Sequence, residues 1–223
     1  MVNRRYFVAL VASAGVLVAT GLLVLTVLLV QERSAEATSP GKPGKIAYSA
    51  YDGTNEAIYT INPGGGGKVK VTDKPGYARN PAYSPTGNKI AYSGYDGNDS
   101  EIYTISVREG NALKVTDNDS NDSQPDYAPD GKTIAYVGYP PSSQEYDGTN
   151  EAIYTIGVSG GGNSSKVVDN ASEPSYSPNG KKIAYLGDTP ANSTVYTIGV
   201  NGGGKAKVID TGASDSEPSW GSQ

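Results

Sequence analysis

The sequence predicts an all-β fold: a four-bladed β-propeller of four-stranded blades, preceded by one transmembrane helix. Three observations predict it. The triplet Ile-Ala-Tyr returns at Ile46, Ile90, Ile134 and Ile183, at spacings of 44, 44 and 49 residues. Each return is followed by the same succession of short runs rich in Ile, Val, Tyr and Thr, separated by Gly, Pro, Asn and Asp. Beyond residue 45 no stretch carries a helical hydrophobic period. A repeat of ~44 residues with four short strands is the pattern of propeller blades, which bury their faces by stacking on one another.

Residues 1–5 hold Arg4 and Arg5 and read as a short cytoplasmic N-terminus. Tyr6–Val30 follows without a single charged residue. A helix over this stretch rises roughly 37 Å, enough to cross a ~30 Å hydrocarbon layer with some tilt. The preceding arginines place its start in the cytoplasm and the remainder outside. The expectation is a signal anchor in the lipid bilayer and a single-pass protein of the cell membrane. The alternative is a secreted chain, cleaved near Ala37 at the A-x-A-like triplet Ala35–Ala37. Residues 31–44, small and polar with Pro and Gly, read as a flexible tether. The propeller domain then occupies residues 45–223, with repeats starting near 45, 89, 133 and 182.

Within each repeat the order of elements is constant. "KIAYSAY" (Lys45–Tyr51) is a strand, "YDGTNE" (Tyr51–Glu56) an Asp-Gly hairpin, "IYTI" (Ile58–Ile61) the next strand, "PGGGG" a glycine turn, and "KVKVTD" (Lys68–Asp73) a third strand. "NPAYSPTG" (Asn80–Gly87) then opens the next blade. Its Pro and Gly suit the second and the left-handed positions of a tight turn. "QPDYAPDG" (Gln124–Gly131) and "EPSYSPNG" (Glu173–Gly180) repeat it, and "EPSWG" (Glu217–Gly221) supplies a fourth copy of its strand. The third repeat has a longer loop, residues 139–152, which accounts for the spacing of 49. The domain starts on the second strand type and ends on the first. The expectation is therefore a closing strand: Glu217–Trp220 pairs with "KIAYSAY", seals the ring within one chain and removes an unpaired strand edge. The alternative is an incomplete ring, closed by dimerisation. A monomer is the favoured reading.

The motif set P-x-Y-S-P-x-G-K-x-I-A-Y, then D-G, E-I-Y-T-I, G-G and K-V-T-D resembles the TolB-type, WD-repeat-like propeller repeat. The resemblance covers residues 45–223. It implies the blade and does not by itself imply a function. Two departures stand out. TolB carries a separate α/β domain before its propeller, whereas a membrane span and tether stand here. TolB-type propellers usually have six blades, and this chain supplies four repeats.

Composition narrows the chemistry. There is no Cys and no His, which removes disulfides, thiol nucleophiles, Ser–His triads and histidine metal sites. The net charge of −5 is the wrong sign for a nucleic-acid partner. No cofactor is expected. Asp117, Asp119 and Asp122 crowd one inter-blade loop and are weak metal candidates, because hard cations take several oxygen ligands. The recurring tyrosines read as packing between blades. The residues that precede the inner strand's proline, Asn80, Gln124, Glu173 and Glu217, converge in a propeller near one mouth of the central channel. They are the candidate ligand- or partner-binding residues. The function expected is an extracytoplasmic, non-catalytic module binding a protein, peptide or glycan, or serving as a scaffold. The alternatives are a carboxylate-dependent hydrolase or lyase at the channel mouth and a purely structural envelope protein.

Overall fold

The structure, a computed structural model, describes residues 44–73, 76–139, 150–188, 192–209 and 214–220. The expected span at Tyr6–Val30, the tether up to residue 43 and most of the 139–152 loop lie outside the described residues. Among the described residues no helix is long and apolar enough to cross a membrane.

Among the described residues fifteen strands form four antiparallel sheets. The first has β1 (Ile46–Tyr51), β2 (Glu56–Ile61) and β3 (Val69–Lys70). The second has β4 (Ala78–Tyr83), β5 (Lys89–Tyr95), β6 (Ser100–Ser106) and β7 (Ala112–Lys114). The third has β8 (Asp122–Tyr127), β9 (Thr133–Gly138), β10 (Ala152–Gly157) and β11 (Ser165–Asp169). The fourth has β12 (Ala171–Tyr176), β13 (Lys182–Asp188), β14 (Ser193–Gly199) and β15 (Ala206–Lys207). Each sheet follows chain order. The connections are hairpins, whose Asp-Gly and Pro-x-Gly turns the sequence announces.

Register puts tyrosine opposite tyrosine in every sheet. Tyr48 faces Tyr59, Tyr92 faces Tyr103, Tyr136 faces Tyr154 and Tyr185 faces Tyr196. The rings stack with centroids 5.5–5.7 Å apart and planes 19–25° apart. Such cross-strand aromatic pairs contribute roughly 0.2–1 kcal/mol each beyond Ala–Ala. The rings need space on their own sheet. A Cβ at Gly187 would lie 2.6 Å from the Tyr196 ring, so a glycine is required there.

The core consists of three clusters, one at each junction between successive sheets. Strand alternation builds both halves of each junction. Ile90 and Tyr92 of β5 point toward the first sheet, while Ala91 points toward the third. Ile90, Ile134 and Ile183 fill the same slot in successive blades, and each is 0% exposed. Val71, Val115 and Val167 fill the slot on the opposite face and are 8%, 1% and 8% exposed.

The closing strand is not observed. The first sheet has three strands rather than four, and residues 214–220 form no strand. The hydrogen bonds of that segment go to the fourth sheet instead. Asp215 N–H donates to Ser193 O at 3.0 Å, Glu217 N–H donates to the Glu173 carboxylate, and the Trp220 indole N–H donates to Ser175 O at 3.1 Å. The segment thus follows β12 in the series of inner strands without reaching β1. Sheets pack in the order one to two, two to three and three to four. Among the described residues no comparable strand packing joins the fourth sheet to the first.

The junctions carry the stability, so one slot has unequal worth in different blades. In the monomeric chain Ile134→Ala should cost about 2–5 kcal/mol and Ile46→Ala less than about 1 kcal/mol. Urea denaturation of the two variants against the parent checks this. Equal losses would mean that the first face is as buried as the internal ones.

Candidate functional site

The inner strands of the second, third and fourth blades share an irregularity. Pairing with the neighbouring strand breaks between Arg79 and Ala82, between Ser123 and Asp126, and between Ser172 and Ser175. The skipped residues are Asn80–Pro81, Gln124–Pro125 and Glu173–Pro174. Proline has no N–H to give to the ladder, which explains a break at that point. The residue before it is unexpected. Asn80, Gln124, Glu173 and Glu217 all have positive φ, at 50°, 51°, 52° and 49°. A residue before proline normally stays extended, and a left-handed Gln or Glu costs about 1–3 kcal/mol.

Hydrogen bonds between blades offset that cost. Glu173 N–H donates to Gln124 Oε1 at 2.8 Å, and Glu217 N–H donates to the Glu173 carboxylate. The side chain of one blade therefore fixes the backbone of the next. Tyr176 N–H donates to Asp126 Oδ2 at 2.7 Å in the same blade-to-blade sense. Asn80 accepts instead from the Ser93 hydroxyl within its own blade, at 3.4 Å.

All four expected residues line one open cavity of about 440 Å³, with their prolines and with Asp126, Ser175 and Ser219. The cavity thus gathers three acids, Asp126, Glu173 and Glu217, and two amides. The sequence does not distinguish Asp126, because Ala82, Ser175 and Ser219 hold its place in the other repeats. Burial pushes its carboxyl up to about 6, against the opposing effect of the N–H donors of Tyr176 and Tyr127. This arrangement can accept hydrogen bonds and attract cationic groups.

The acidic loop between the second and third blades is organised differently. Asp117 pairs with Lys114, Asp119 is exposed, and Asp122 is buried. Asn118 Nδ2 donates to Asp122 at 2.9 Å. A second acid, Glu101, is 0% exposed, receiving the Thr116 hydroxyl at 2.6 Å and Asn118 N–H at 2.8 Å. Burial, with the Glu101 charge adding to it, pushes the Asp122 carboxyl well above the carboxylate range. Asp96, Asp99 and Glu101 present oxygens within 4.8 Å of one another. The Lys114 ammonium sits among these acids, 2.7 Å from Asp96 and 3.5 Å from Glu101, and supplies the cation itself. The Asp-Gly loops likewise spend their aspartates on turn closure. Asp52 accepts the N–H groups of Thr54 and Asn55 at 2.8 Å each, and Asp96 accepts that of Asn98 at 2.8 Å.

A larger cavity, about 490 Å³, lies between the third and fourth blades against Ala128, Thr133, Tyr176 and Val200, and Asp130 supplies its one carboxylate. It lacks the convergence of acids found in the first cavity.

The sequence matches the family described as TolB beta propeller domain over residues 34–221. Solved structures similar to the chain include a protein described as TolB from Agrobacterium tumefaciens, 22% identical with a TM-score of 0.62 over 72% of this chain and 59% of that one. TolB from Acinetobacter baumannii is 24% identical with a TM-score of 0.61, over 73% of this chain and 40% of that one. An oligogalacturonate lyase from Vibrio parahaemolyticus is 14% identical with a TM-score of 0.57, over 75% of this chain and 49% of that one. At these identities the likeness concerns the fold. The chain spans 59% and 40% of the two TolB structures. The curated proteins include no match to it.

The acids make stability depend on pH in two opposed ways. Asp126 holds its proton in the fold to about pH 6, whereas unfolded aspartate releases it near pH 4. Stability therefore falls as pH rises from about 4 to about 6, and Asp122 acts in the same direction. Asp96, held down to about 2 by Lys114 and by Asn98 N–H, stabilises the fold above pH 4, and that contribution is lost on further acidification. Urea midpoints should therefore peak near pH 4–5. Asp126→Asn should flatten the limb between pH 4 and 6, by about 1–2 kcal/mol.

Proposed function

The chain belongs to the TolB beta propeller domain family, and from that premise we propose that it acts outside the membrane as a non-catalytic binding module. Its occupant is a protein or peptide segment received at the channel mouth. Tyr6–Val30 anchors it as a single-pass protein with Arg4 and Arg5 on the cytoplasmic side. The observation that carries this reading is the convergence of Asn80, Gln124, Glu173 and Glu217, with Asp126, on one open cavity.

Rigidity supports binding. The left-handed backbone of Glu173 and Glu217 is locked by the preceding blade, so little conformational freedom remains to be lost when a ligand arrives. The acids favour an occupant that presents N–H donors or positive charge. A net charge of −5 extends that preference beyond the cavity.

A second reading, a carboxylate-dependent hydrolase or lyase, draws on Asp126. Its carboxyl, poised at about 6, has the protonation behaviour of an acid–base group.

The test is photo-crosslinking in the native membrane from a reactive residue at Ser219, beside the mouth, compared with one at Leu113 on β7. Specific adducts with a protein other than this chain, from Ser219 alone, are expected. Absence of adducts from both positions would favour a structural envelope protein. Turnover of an ester or glycan panel, abolished by Asp126→Asn, would replace binding with catalysis. Fractionation checks the anchor: full-length chain is expected in the membrane pellet, whereas a soluble product starting near Ala37 would assign a cleaved, secreted form.

A further inference from the structure

The four sheets make three internal junctions, and each uses the same slots. Of the two faces left over, one belongs to the first sheet and the other to the fourth. Their residues match the internal junctions in kind and differ in exposure. Ile46 occupies the slot of Ile90, Ile134 and Ile183, and is 51% exposed where those three are at 0%. Val208 occupies the slot of Val71, Val115 and Val167, and is 59% exposed where those are at 8% or less. The correspondence is structural as well as sequential. Val71, Val115 and Val208 N–H donate to the carbonyls of Ile58, Ile102 and Val195, at 2.8, 2.8 and 2.9 Å. Ile209, the next residue along, is also exposed, at 43%.

The strand edges show the same pairing of needs. Among the described residues β1 lacks the inner-strand partner that β5, β9 and β13 each possess. Residues 217–220 repeat the inner-strand motif, left-handed head included, and pair with no following strand among the described residues. One end of the domain thus carries the face and edge that the other end lacks.

We propose that a second copy of this chain occupies both ends. The fourth sheet of each copy packs on the first sheet of the other, and Glu217–Trp220 of each adds to the free edge of β1 in the other. The two junctions are then identical and related by a twofold axis. Four blades from each chain close into an eight-bladed ring, within the range propellers adopt. The contact continues the internal junctions, with an exposed aliphatic face against an exposed aliphatic face and a strand against an open edge. The channel mouth then includes the pre-proline residues of both copies.

The internal registers fix where the strands meet. Ala82 pairs with Ala91 and Tyr83 with Ile90, Asp126 with Ala135 and Tyr127 with Ile134, Ser175 with Ala184 and Tyr176 with Ile183. By the same rule Ser219 meets Ala47, and Trp220 meets Ile46.

Disulfide trapping reads this directly, because the chain contains no cysteine. Directly opposed antiparallel residues have Cα atoms roughly 4.5–5.5 Å apart, within disulfide reach. Full-length Ala47→Cys and Ser219→Cys chains are purified separately in mild detergent, mixed and oxidised. The mixture should give a covalent dimer at twice the 23.1 kDa chain mass, and neither variant alone should do so. The double variant should give dimer as well. An intramolecular disulfide in the double variant would show that the ring closes on itself and overturn the proposal, as would the absence of any disulfide. Adding Val208→Asp should lower the trapped fraction at least about tenfold, since it places a charge in an apolar junction, while leaving the far-ultraviolet spectrum unchanged. Trapping that Val208→Asp does not affect would also overturn the packing proposed here.

Discussion

Every sheet in this domain buries at least one face against a neighbour. Two or three short strands with a single apolar face do not hold together in water, and propeller blades solve this by giving each sheet two faces and a neighbour for each. The slots held by Ile90, Ile134 and Ile183 on one side, and by Val71, Val115 and Val167 on the other, are that solution written into the repeat. The tyrosine stacks, the hairpin turns and the position of the cavity lined by the pre-proline residues all follow from sheets that must lie face to face.

Polar groups are arranged around the same constraint. A residue held left-handed before a proline is unfavourable alone, yet the structure repeats it four times. The cost is borne because the carbonyl or carboxyl oxygen of one blade meets the N–H of the next at Glu173 and Glu217. The junction of the second and third blades buries Glu101 and Asp122 instead, and surrounds them with Thr116, Asn118 and Lys114. This departs from the repeat, since Ala57 and Ala152 stand where Glu101 does.

The sequence carries those features that repeat and depend on local chemistry. The Ile-Ala-Tyr period, the Asp-Gly hairpins and the Pro-x-Gly turns locate the four sheets to within a few residues. The convergence of Asn80, Gln124, Glu173 and Glu217 is legible as well, because inner strands must share a channel. Features that depend on two distant segments are not legible. Nothing local at Glu217 says that its N–H goes to Glu173 rather than into a ladder with β1. The preference of pre-proline residues for extended backbone points away from the observed φ. Asp126 escapes notice because its neighbours in the series are Ala and Ser, and its raised protonation range arises from burial that the repeat pattern does not encode.

Trp220 gives one of these features an optical consequence. It is the single tryptophan beside 17 tyrosines, and it stands in the position that Tyr83, Tyr127 and Tyr176 take in the other inner strands. The residue is 37% exposed with its indole tied to Ser175, at a segment that has no strand partner among the described residues. The chain's red-edge emission therefore comes from that segment alone, and the tyrosine-filled interior contributes no indole signal. A fluorimeter set to excite tryptophan observes the free edge of the domain and nothing of its core.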